Sequence, residues 1–115
     1  MTNNFNFAIS HIHTTGPHTE RDFIIQLGLL PLDGTKEPGI EKFKPECKIS
    51  RSAKQRSGLK DSILENAPLF GAVSSKWQSE LEKFSHIFVM KSGNGNELDW
   101  VREVVLKNSP QTVVV

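Results

Sequence analysis

The chain has 115 residues, 37% of them hydrophobic and 23% charged, with a formal net charge of +1. That length fits a single core and leaves no room for a second fold unit, and the balance excludes both a disordered composition and a polycation. One cysteine, Cys47, excludes an intramolecular disulfide and a multi-cysteine zinc site.

There is no apolar run of about 18 residues, and residues 1–10 lack a basic start with an apolar stretch behind it. The expectation is a soluble cytoplasmic protein with no membrane partner. Charge is unevenly spread: residues 1–35 carry −2, residues 36–60 carry +5 and residues 61–115 carry −2.

The first element reads as a strand, because Phe5, Phe7, Ile9, His11 and His13 alternate with their neighbours at period two. Gly16-Pro17 breaks it. Thr19 as N-cap, Glu20 and Asp22 in a first turn, and Phe23, Ile24, Leu27 and Leu30 at helical spacing predict a helix that Pro31 stops.

Residues 32–58 are punctuated by glycine and proline and leave room for one short strand at 47–50. Residues 59–66 fit a helical turn or two. Ser75-x-x-Gln78 matches a capping box ahead of Trp77, Leu81 and Phe84, which share one helical face. Residues 86–91 read as a second strand, 97–107 as a helix with Asn96 as cap, and 112–115 as a closing strand. Strand, helix and strand in that order favour a parallel crossover. The fold class expected is α+β: a small mixed sheet in one domain, with about three helices packed on one face, and the echo of Ser10-His11-Ile12 in Ser85-His86-Ile87, each ahead of a helix, suggests a pseudo-symmetric strand–helix repeat.

Three groups of residues carry hints of chemistry. His11 and His13 leave the same face of a strand, and His86 stands on another. Three imidazoles could bind one divalent metal, with Glu20, Glu97 or a water completing the set; histidines ending an apolar stripe are more often hydrogen-bonded residues at the rim of a core. Gly93, Asn94 and Gly95 precede a helix, where backbone amides can hold a phosphate, although Asn94-Gly95 is also an ordinary tight turn. The basic residues Lys42, Lys44, Lys48, Arg51, Lys54, Arg56 and Lys60 could contact an anionic surface, or form a solvated loop.

Ile9-Ser10-His11-Ile12 followed by a helix over 20–29 resembles the opening of a vicinal oxygen chelate module, the glyoxalase and bleomycin-resistance superfamily. Phe84-Ser85-His86-Ile87-Phe88 followed by 97–107 resembles the opening of its second module. The resemblance implies a metal held by His11 and His86. The basic middle departs from that family's three consecutive strands.

No complete catalytic constellation is present. The expected function is therefore a small non-catalytic binding or regulatory protein without a cofactor. Its basic segment would engage an acidic protein or a nucleic acid, with a homodimer possible. The alternatives are a metal-dependent enzyme or small-ligand binder on the histidines, and a phosphate or nucleotide site at residues 93–96.

Overall fold

In the computed structural model, residues 6–32, 38–47, 49, 51–91 and 96–115 are described. Strand β1 (Phe7–Thr14) alternates as expected, yet the face it buries is the one with the small residues. Ala8, Ser10, Ile12 and Thr14 are buried, while Phe7, Ile9, His11 and His13 remain partly or largely exposed. Ser10 keeps its buried hydroxyl satisfied by donating to the Gly28 carbonyl at 2.9 Å.

Strand β2 (Ile24–Pro31) runs antiparallel to β1. It takes the place of the helix expected over residues 20–29, so the first unit of the expected strand–helix repeat, which is also the first module of the vicinal oxygen chelate resemblance, is a strand pair. The cause is that β2 is apolar on both faces, with Leu27 and Leu29 toward the core and Leu30 on the face opposite. Such a strand reads as a near-continuous apolar run, and that run also contains helical spacings.

The acidic residue expected in a first helical turn closes a loop instead. Asp22 accepts from the His18 backbone N–H at 2.9 Å and from the Thr15 hydroxyl at 3.1 Å. Gly16 lies against that carboxylate, and a Cβ there would collide with it.

Strand β3 (Gly39–Lys42) extends the sheet antiparallel on β2. Strand β4 (His86–Val89) lies parallel to β1, and β5 (Val113–Val114) parallel to β4. The order is β3-β2-β1-β4-β5, a small mixed sheet of the expected α+β class.

Helix α3 (Phe70–Glu82) begins ahead of Ser75, so the Ser75–Gln78 pair sits inside the helix and caps nothing; Pro68 sets the boundary from outside. Its Trp77 and Leu81 pack with Phe84 onto Ala8, Ile12, Leu27, Leu29 and Ile87. The last helix starts as α4 (Glu97–Asp99) and continues as a π-helical segment (Trp100–Val105) that buries Trp100, Val101 and Val105 in the same core. Asn96 precedes it without a side-chain cap.

Two short helices, α1 (Arg51–Ser57) and α2 (Asp61–Leu64), form a separate small core of Ile25, Ile49, Ala53, Leu59 and Leu64. A β-bulge between His13 and Thr14 makes this possible: Ile24 pairs with Thr14 and enters the main core, while the extra residue, Ile25, feeds the second. Of the strand expected at 47–50 only Cys47 and Ile49 are described, and neither is in a strand. Among the described residues, no helix is long and apolar enough to cross a membrane.

Candidate nucleic-acid interface

Helix α3 and the C-terminal helix cover one face of the sheet, and the register decides what stands on the other. Residues directly opposite share a face, so the open face is built from rows: Phe7 with His86 and Val113, Ile9 with Leu30 and Phe88, His11 with Gly28 and Ile40, His13 with Gln26 and Lys42.

Several of these side chains are large, apolar and exposed: Phe7 at 38%, Phe88 at 39%, Leu30 at 44% and Ile40 at 61%. A contiguous patch of this kind marks an interaction surface, whereas single exposed leucines do not. None of the strand residues described on this face is a carboxylate.

The aromatic end of the face is ordered. The Phe7 ring meets the His86 ring at 5.2 Å and the Phe88 ring at 5.9 Å, both edge-on. His86 is oriented by the Ser85 hydroxyl, 3.0 Å from its Nδ1. Beside this end lies a cavity of about 330 Å³ lined by Ile9, His11, Gly28, Leu30, Ile40 and Met90.

The histidines do not converge. His11 and His13 are neighbours, with ring centroids 5.6 Å apart. His86 stands opposite Phe7, four residues before His11 along β1, which is roughly 13 Å at the strand rise. Among the described residues, no group of three or more His, Cys, Asp or Glu could hold a metal ion.

His11 lies directly over Gly28, and its Nε2 sits 3.0 Å from Gln26 Nε2; the amide N–H donates and the ring nitrogen accepts. Burial lowers the His11 pKa below its ordinary value. Below about pH 6.5 the unfolded chain takes up this proton more readily than the native protein, so stability falls as the pH drops through that value. His11→Gln removes the group, and thermal melting between pH 7.5 and pH 5 should then decline less than in the parent protein.

The basic residues fall into two places. Lys42 ends the His13–Gln26 row at the edge of the open face, and Lys44 follows it, exposed, with its backbone N–H donating to the Pro68 carbonyl at 2.9 Å. Arg51, Lys54 and Lys60 surround a shallow hollow of about 500 Å³ between α1 and α2.

Lys54 is 2.9 Å from Asp61, but both ends of that pair are exposed, at 41% and 58%, so it holds the lysine only weakly. Lys48, Gly93, Asn94 and Gly95 lie outside the described residues, as does the Arg56 side chain. Asn96, next to the glycine pair, donates from Nδ2 to the Pro17 carbonyl at 2.9 Å. Cys47 is exposed.

The aromatic face was missed in the sequence reading. The alternation along β1 shows two faces, and large residues on one of them ordinarily identify the buried side. Here the helices instead cover the face of Ala8, Ser10 and Ile12, where the small Ala8 and Ser10 leave space for Trp77 and Trp100 in the core.

No protein-family model matches the chain, and no curated protein matches it. Solved structures do. A product-bound exonuclease I superposes with a TM-score of 0.76 at 15% identity over 98% of this chain and 30% of that one. The zinc-bound form of an E. coli exonuclease I complex with single-stranded DNA gives 0.69 at 18% identity, covering 92% of this chain and 23% of that one. E. coli exonuclease I bound to a dA16 oligonucleotide gives 0.68 at 18%, over 91% and 23%. The chain thus spans less than a third of the length of these neighbours, and at such identities the likeness is one of fold.

Proposed function

We propose that this domain binds single-stranded nucleic acid along the open face of its sheet, with bases against the Phe7, His86 and Phe88 rings and phosphates near Lys42, Arg51, Lys54 and Lys60. The observation that carries the reading is the composition of that face: exposed aromatic and apolar side chains, histidines and a lysine, and no carboxylate among the strand residues described. Aromatic rings accept any unpaired base, and a basic margin follows the backbone. A duplex hides the π-faces this surface could use. Solved structures of the same fold include complexes with oligonucleotides, which supports the same class of partner.

The test is binding of a fluorescein-labelled oligothymidylate followed by anisotropy. Phe7→Ala and Phe88→Ala should each weaken it by about 1–3 kcal/mol per base no longer stacked, equivalent to fivefold or more. Both rings are partly exposed, so the fold should survive. Unchanged affinity in the double variant would remove the stacking face from the account.

A further inference from the structure

The outer edge of β3 offers backbone groups that nucleic-acid binding leaves unused. The Phe43 N–H donates to the Ile25 carbonyl at 2.9 Å, which fixes the phase of the β2–β3 ladder. Directly opposite residues alternate between bonded and non-bonded pairs, so Glu41 and Gly39 face β2, while Ile40 and Lys42 turn their N–H and C=O groups outward. Lys44 has the same phase, and its outward N–H is already taken by the Pro68 carbonyl at 2.9 Å. At Ile40 and Lys42, no strand among the described residues lies beyond the edge.

Next to this edge, on the helix side, is a groove of about 400 Å³ floored by Leu29, Trp77 and Phe84 and walled by Glu41, Lys76 and Glu80. Glu41 accepts from Trp77 Nε1 at 2.6 Å and from Lys76 Nζ at 2.9 Å. Burial pulls its carboxyl upward; the hydrogen bonds from Lys76 and Trp77, with the lysine's charge, outweigh that and leave it below the ordinary carboxylate range. Glu41 therefore stays ionised, in a wall that holds two carboxylates and one ammonium.

We propose that this edge docks an extended segment of another polypeptide as an added strand, paired antiparallel to β3, with an acidic–basic–apolar run facing Lys42, Glu41 and Ile40 in turn. The guest's outer two residues exchange backbone hydrogen bonds with Lys42 and Ile40. Its central residue carries an apolar stem over the Trp77 side of the groove and a cation to Glu41. Charge selects this guest over a second copy of the chain. A two-fold β3 pair centred on Glu41 or on Lys42 sets like charges directly opposite, which is destabilising, and one centred on Ile40 puts Lys42 against Pro38, which has no N–H to return.

The probe is a labelled peptide with a Glu-Lys-Val run between threonines, compared with the same peptide N-methylated at its Glu and Val amides. Binding should slow amide exchange at Ile40 and Lys42 at least tenfold and leave Glu41, already bonded to β2, unchanged. N-methylation should weaken binding at least tenfold. Ile40→Pro removes an edge donor at a position where proline is tolerated, and should weaken binding by a similar factor with little change in melting temperature.

Equal affinity for the N-methylated peptide, or unaltered exchange at Ile40 and Lys42, overturns the proposal. So does protection of the same amides by self-association when no peptide is present. Should Ile40→Pro fail to fold, the N-methylated peptide against the parent protein still decides.

Discussion

Replacing Arg51, Lys54 and Lys60 together by glutamate should lower affinity for an oligothymidylate by about a hundredfold at moderate salt and flatten its salt dependence. Each lysine or arginine beside a phosphate releases counterions on binding, contributing a slope of about −0.7 per contact on a single strand. Three cations with Lys42 therefore predict a slope near −3 in the parent protein, and one near −1 in the variant. The three side chains rim one hollow and Lys54 makes only an exposed ion pair, so the substitutions leave the core intact. Surface changes of this kind shift stability by about 0.5 kcal/mol each, a few degrees of melting temperature altogether. Loss of binding together with loss of the fold would mean that these residues hold α1 and α2 in place and do not meet a ligand.

Gly28→Val should be the most damaging single change to the open face. Gly28 stands directly opposite His11, whose ring occupies the space a Cβ would need. The imidazole would have to swing away from Gln26, breaking their contact, at an expected cost of about 1–3 kcal/mol in chemical denaturation. His11→Ala empties that space. The double variant should therefore recover most of the loss, a coupling of about 1 kcal/mol or more. If the two effects simply add, His11 is not what makes glycine necessary at this position.

The histidine–glycine contact also shows why the sheet was harder to read than the helices. Trp77, Leu81 and Phe84 announce a helix because their spacing matches one period and no other, and all three are buried where that helix meets the sheet. β4 and β5 are short β-branched or aromatic runs and were equally legible. β2 was not: apart from Gln26 it is apolar on both faces, so Phe23, Ile24, Leu27 and Leu30 match helical spacing as well as a strand. Telling the two apart requires knowing that β1 and β3 flank it, and pairing partners are not a local property of sequence.

The candidate site was half legible for the same reason. The basic bias of residues 36–60 is visible as a count, and Arg51, Lys54 and Lys60 do gather around one hollow. That His86 aligns with Phe7 and not with His11 depends on parallel register, which no spacing reveals. The aromatic surface arises from a choice between two alternating faces. The helices make that choice by volume: Ala8 and Ser10 leave space for two tryptophans, and the phenylalanines are turned outward.

The most direct measurement is a titration of the ¹⁵N-labelled protein with an unlabelled oligothymidylate, followed by amide and aromatic chemical shifts. Binding on the open face predicts changes concentrated at Phe7, Ile9, His86, Phe88, Lys42 and the residues of α1 and α2, with α3 silent. Changes confined to α3 and the C-terminal helix, or none at saturating oligonucleotide, would contradict it.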